Sequence, residues 1–160
     1  FVGHTSLYYF GQEAKIYGWF TGLFGTSFAQ FAALYHTRNS ISKSLFKTLI
    51  IICSIEVVAA FVSVFAFWSF VVVEVHSAFG LVLIVTILEN IHYKKTKSQL
   101  SLFMIYGVGV AVLAVLCHVF KLAFSVWFNH MDLSHIFMAI SMYLMYKGAS
   151  LYQSSEPELV

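Results

Sequence analysis

The sequence predicts an all-α fold, a polytopic transmembrane helix bundle, from three observations. Of 160 residues, 60% are hydrophobic and only 10% are charged, whereas a water-soluble domain carries about a quarter charged residues. Mean hydropathy is +0.84. Apolar runs of roughly twenty residues, the length that crosses a bilayer core as a helix, recur along the whole chain. At least five spanning helices are expected, and six or seven if the chain continues before Phe1, which is not a Met. No positively charged leader with a small-residue cleavage site is visible, so no signal peptide is expected. One transmembrane domain over residues 1–152 and a polar tail, QSSEPELV, at 153–160 complete the expected organisation.

Residues 1–15 read as the end of a preceding helix and a loop holding Gly11, Glu13 and Lys15. The first helix is expected at about 16–36, rich in small residues. Its Gly18 and Gly22 form a GxxxG pair that lets a neighbouring backbone approach closely. A loop at 37–47 carries Arg38, Lys43 and Lys47. The second helix, about 44–65, holds Glu56 near its middle. After the aromatic link Phe67-Trp68-Ser69-Phe70, the third, about 71–92, contains Glu74, His76, Glu89 and His92. Lys94, Lys95 and Lys97 fill the loop at 93–99. The fourth helix is expected at about 100–121, with His118 near its end, and the fifth at about 132–152. Asp132 and Ser134 are candidate caps for that last helix. Cys53 and Cys117 lie within apolar segments and are expected as free thiols.

The basic loops follow the first and third helices and so fall on one side of the membrane. The positive-inside rule makes that side, with the C-terminus, cytoplasmic. Each polar residue then acquires a depth. At about 1.5 Å per residue, His76, His118 and His135 come within a few ångströms of one outer level. Glu74, His130, Asp132 and Lys121 lie nearby, while His36, Glu89 and His92 form an inner group and Glu56 stands alone at mid-depth. Ionisable groups in a membrane helix are expensive and face a bundle interior or a cavity. Imidazoles and carboxylates converging from several helices are what a metal site requires, and the competing reading is interfacial solvation. On the third helix, Glu74 and His92 are five regular turns apart and share a stripe, while His76 points nearly opposite to Glu74.

The segment FNHMDLSH…YLMYKGA, within residues 128–149, resembles the last helix of an uncharacterised group of bacterial multi-helix membrane proteins. That group is distantly similar to the superfamily of alkaline ceramidases and progestin/adipoQ receptors. The helix end AALYHTR, 32–38, is similar to the second-helix region of the ceramidases. The resemblance implies seven helices and a zinc ion held by three histidines, hydrolysing a lipid amide with a zinc-activated water. Carried over, His36 and His135 would be ligands. The chain departs from the pattern at Met131, where a histidine four residues before His135 would stand, and at Ala32, where the family has serine. The two helices also come out parallel here, which puts His36 inside and His135 outside.

Three functions follow as expectations. The first is a metal-dependent hydrolase acting on a membrane lipid, with His76, His118, His135 and His36 as candidate zinc ligands and Asp132 and Glu74 as candidate catalytic carboxylates. The second is a non-catalytic subunit or scaffold of a larger membrane complex, packing against lipids and other membrane subunits. The third is a haem-binding electron carrier that pairs His36 with His92, and His76 with His118 or His135. Against haem, His76 and His92 are sixteen residues apart, about 160° around a regular helix. Neither the net charge of +2 nor any motif points to nucleic acid, and GxSxG, P-loop, GxGxxG and CxxC patterns are absent.

Overall fold

The computed structural model describes residues 15–125 and 127–153, with the side chains of 152 and 153 left aside. The expected N-terminal loop and the tail from 154 lie outside the described residues. Among the described residues five long helices follow one another: α1 (Lys15–Thr37), α2 (Lys43–Phe67), α3 (Val71–Thr96), α4 (Gln99–Val119) and α5 (His130–Gln153). Each extends the expected helix by a residue or a few, except that α4 stops two residues earlier than expected. No strand occurs among the described residues. Three of the helices, α2, α3 and α4, are long and apolar enough to cross a membrane. The flanking α1 and α5, of 23 and 24 residues, are of similar length but more polar.

Local chemistry sets the ends. Ser42 caps α2, its hydroxyl accepting the Leu45 N–H at 3.2 Å. α2 terminates where Trp68 takes a left-handed conformation (φ 48°) and its N–H bonds the Val64 carbonyl at 3.0 Å. Lys97 (φ 56°) closes α3 the same way, onto Tyr93 at 2.8 Å. Neither is glycine, so each carries the modest strain of a left-handed side-chain-bearing residue.

α3 is not a regular helix. Val71–Ser77 and Thr86–Thr96 are α-helical, but Ala78–Val85 between them is a π-helix. Counting 3.6 residues per turn through this segment fails, so the five-turn alignment of Glu74 with His92 does not hold.

The chain divides into two compact units at Ile84/Val85. In the first, α1, α2 and the start of α3 enclose a core of Leu23, Ala60, Val64 and Val73, flanked by Trp19, Phe20 and Phe61. Phe61 stacks on Phe20 (5.8 Å) and meets Phe24 at 4.9 Å, in the tilted and offset geometries aromatic pairs favour. Gly22 brings α1 close to α3, for a Cβ there would lie 3.1 Å from Val73. The other faces of α2 are bare hydrocarbon, with Ile51, Ile55, Val58, Val62 and Phe65 all exposed, as suits a helix surrounded by lipid.

In the second unit α4 and α5 pack along a seam of small residues. The Ser141 hydroxyl donates to the Gly107 carbonyl at 2.7 Å. A Cβ at Gly107 would lie 2.7 Å from Met145 Cγ, and one at Gly148 would lie 3.2 Å from the Leu100 carbonyl oxygen. Close backbone approach is how helices associate when lipid removes the hydrophobic drive. Gly107→Leu should therefore destabilise the detergent-solubilised protein by about 1–3 kcal/mol in an unfolding titration. Gly109→Leu, two residues on and facing open space, should not. Equal effects would remove the seam as the reason for glycine at 107.

Candidate functional site

The most polar place within the first unit is built by one residue of α2, two of α3 and a turn of α1. His76 is 1% exposed. Its Nδ1 lies 2.8 Å from Glu56 Oε1. Its Nε2 lies 3.2 Å from both the Leu23 carbonyl and the Ser27 hydroxyl. Ser27 in turn donates to the Leu23 carbonyl at 2.8 Å, within its own helix. Thr26 and Ser77 hydroxyls meet beside it at 3.2 Å.

These contacts fix where the hydrogens lie. A backbone carbonyl only accepts, so Nε2 must carry the hydrogen that it directs toward Leu23 and Ser27. Nδ1 then either donates to an ionised Glu56 or accepts from a protonated one. In both cases one proton lies between the two side chains and the pair is neutral overall. Neutrality is what an apolar bundle demands of buried ionisable groups.

Ser27, His76 and Glu56 have the outline of a serine–histidine–carboxylate triad, but not its chemistry. A general base must offer the nucleophile a lone pair at Nε2. Here Nε2 presents a hydrogen, and the buried Ser27 hydroxyl is already committed to Leu23.

Glu56 itself is part-exposed. Its Oε1 holds His76, while Oε2 is buried with no hydrogen-bond partner among the described residues. It stands at the inner end of a groove of about 320 Å³ between α2 and α3. Ala59, Ser63 and Phe67 form one wall and Val72 and Val75 the other, with His76 beside Glu56. The groove is apolar along its length and polar at this end, and its size is at the lower limit of ligand pockets, about 300 Å³.

Glu56, expected alone at mid-depth, is thus the partner of His76. The other sequence candidates fall elsewhere. Glu74 sits in the first turn of α3, where a carboxylate suits the helix dipole. His36 lies in the last turn of α1 and is engaged there. His118 and His130 bring their rings to 5.5 Å, tilted by 53°. His135 is exposed, with Nδ1 on the Met131 carbonyl in its own helix. Asp132 is exposed, and its role is structural: Asn129 is the residue that caps α5, accepting the Met131 N–H at 2.8 Å, while Asp132 Oδ2 reaches back to the Asn129 N–H at 3.0 Å. This is a reciprocal capping box. Ser134, the other expected cap, donates to Met131 within the helix.

No three His, Cys, Asp or Glu side chains among the described residues gather closely enough to hold a metal ion. His76 has both nitrogens committed, so it fits neither the zinc set nor a haem axial position. The described residues therefore assemble no three-ligand set for the expected zinc.

Two substitutions separate charge pairing from packing. His76→Ala leaves the half-buried Glu56 carboxylate without its partner and should lose about 1–3 kcal/mol of stability. Glu56→Gln keeps an acceptor for Nδ1–H and should lose less than half of that. Unfolding titrations in detergent measure both, and equal losses would overturn the pairing account.

No curated protein and no solved structure is significantly similar to this chain. The model of DUF6962, a family of unknown function, matches residues 1–154, and the chain belongs to that family.

Proposed function

We propose that this integral membrane protein takes an amphiphile from the bilayer into the α2–α3 groove and anchors its amine or hydroxyl head on Glu56. The observation that carries this reading is the asymmetry of the Glu56 carboxylate. One oxygen is held by His76, the other is buried without a partner among the described residues, and the residue lines the end of an apolar groove. A donor supplied by a ligand would satisfy that oxygen, and the hydrocarbon of the same ligand would lie along Ala59, Phe67, Val72 and Val75. Membrane lipids are the expected source. All five helices cross the bilayer in this reading, with Arg38, Lys43 and Lys47, and Lys94, Lys95 and Lys97, on the cytoplasmic side.

Hydrolysis is not part of the proposal. The zinc chemistry implied by the superfamily resemblance needs a ligand set that the described residues do not assemble, and the triad-like contacts present a hydrogen where a base is required. The haem carrier lacks a free imidazole at His76 for the same reason.

Lipid extraction and mass spectrometry of the purified protein test the reading. One amine- or hydroxyl-bearing amphiphile should co-purify in near-stoichiometric amount. Ala59→Trp, which fills the groove, should abolish it. Glu56→Gln should weaken it about tenfold or more, since a hydrogen bond to a charged group contributes about 1.5–3 kcal/mol. A bound amphiphile that is unchanged in Ala59→Trp would place it elsewhere, and no enrichment over bulk lipid would end the proposal.

A further inference from the structure

The link between α4 and α5, residues 120–129, carries the wrong side chains for a loop in water, where connections are polar. It reads FKLAFSVWFN, with Lys121 as its single charge. Phe120, Leu122 and Phe124 are exposed, and Trp127 is 94% exposed.

The link is nevertheless tightly built. Lys121 takes a left-handed conformation (φ 51°). Its N–H meets the His118 carbonyl at 3.3 Å, and the Leu122 N–H reaches the Cys117 carbonyl at 3.0 Å. These are the two bonds of a Schellman cap. Further on, the Phe128 carbonyl accepts the N–H groups of Phe124 (3.2 Å) and Ser125 (3.3 Å). The Phe128 N–H donates back to the Ser125 hydroxyl at 3.0 Å, and the rings of Phe124 and Phe128 meet at 5.9 Å. Peptide groups satisfied by one another do not need water, so this backbone is suited to the water-poor boundary of a bilayer.

The surroundings favour lipid over a protein as the cover for these side chains. The bare surface is continuous with the flank of α4, where Val112, Val115, Leu116 and Val119 are exposed on a helix long and apolar enough to cross a membrane. Where that helix ends, the headgroup boundary is the first surface the link meets. Trp concentrates at that depth, and the Lys121 stem can lie in the boundary with its ammonium at the phosphates. The α2–α3 link, on the same side when α3 and α4 both cross, repeats the chemistry. Phe67, Trp68 and Phe70 are all exposed there, with no charge among residues 67–70.

We propose that residues 120–129 form an interfacial anchor, with the aromatic side chains seated at the acyl–headgroup boundary of the outer leaflet and Trp127 immersed there. The anchor sets the depth of the α4–α5 hairpin. It requires α4 to cross the bilayer and is independent of the Glu56 groove.

Trp127 reports on its own surroundings. With the unaltered protein and Trp127→Phe both reconstituted in zwitterionic vesicles, the difference in emission is the contribution of Trp127. The substitution keeps a ring at an exposed site and leaves in place Trp19 and Trp68, which pack on each other at 6.3 Å. Lipids brominated near the headgroup end of the acyl chain should quench the Trp127 contribution several-fold more than lipids brominated at the chain terminus. Aqueous iodide should quench it several-fold less than it quenches free tryptophan. Full quenching by iodide with none by brominated lipid makes the link a solvated loop and overturns the anchor. Protection from both quenchers puts a protein surface over Trp127, and stronger quenching from the chain terminus puts it in the hydrocarbon; either overturns the interfacial seat. Brominated lipid acting on Trp19 and Trp68 in the Trp127→Phe protein shows that the chain is in the bilayer, which separates failure of the anchor from failure of the membrane reading.

Discussion

A single shared proton between Glu56 and His76 is the constraint around which the first unit is arranged. Each group alone would be a heavy burden in an apolar bundle, and removing either leaves the other exposed to that penalty. Together they are neutral, and the remaining imidazole hydrogen needs an acceptor. α1 supplies it by presenting the Leu23 carbonyl together with Ser27, whose hydroxyl is folded back onto the same carbonyl. The pair therefore ties three helices at one point: α2 through Glu56, α3 through His76 and α1 through its backbone. The aromatic packing of Phe20, Phe24 and Phe61 is generic by comparison, since it sets proximity but not rotation. A hydrogen bond to one ring nitrogen sets the rotation of each helix about its axis.

The π segment belongs to the same arrangement. Gln30 and Thr26 of α1 face Gly80, where any Cβ would collide with them at 2.6–2.8 Å. Seven residues separate Leu23 from Gln30, two turns on one stripe of α1. That stripe thus reads first His76 and then Gly80 on α3. His76 and Gly80 are four residues apart, on one face of a helix that changes pitch just after Ser77. The departure from α geometry coincides with the stretch that must accept a polar side chain from α1.

Much of the fold was legible in the sequence, and the site was legible only in part. Long apolar runs bounded by charge clusters locate five helices to within a few residues, because hydrocarbon length and lysine placement are one-dimensional signals. The identity of His76 as a buried, partnered residue was likewise within reach, since a histidine well inside a Val-rich run needs a partner. Its partner was not. Counting from the turn at Trp68–Phe70 puts Glu56 roughly 9 Å deeper than His76, and depth counting carries no information on which faces meet across a helix pair. The π segment was invisible for a related reason: Ala78–Val85 is an unbroken apolar run whose composition suits either pitch. At α5, Asp132 reads equally well as a catalytic acid or a cap, and only the reciprocal bond with Asn129 decides between them.

Ser101 shows how an unmet polar atom can be explained away, and why Glu56 and Gln30 resist the same treatment. In a helix, a serine or threonine hydroxyl normally donates to the carbonyl four residues earlier, as Ser27, Thr37 and Thr96 do. Ser101 sits in the first turn of α4, where that carbonyl belongs to Lys97, outside the helix and in a left-handed conformation. Its unmet hydroxyl is a consequence of position. Gln30 and Glu56 lie in the middle of long helices, and their side chains are too long for the back-bond to be the natural refuge. Gln30 Oε1 packs against Gly80 of α3, and Glu56 lines the α2–α3 groove. A sequence selected only for membrane insertion would have apolar residues at both positions, since replacing buried polar groups by apolar ones of similar shape is near neutral or stabilising. Retaining a carboxylate at Glu56, with an oxygen that no described residue satisfies, makes sense when something other than the protein satisfies it.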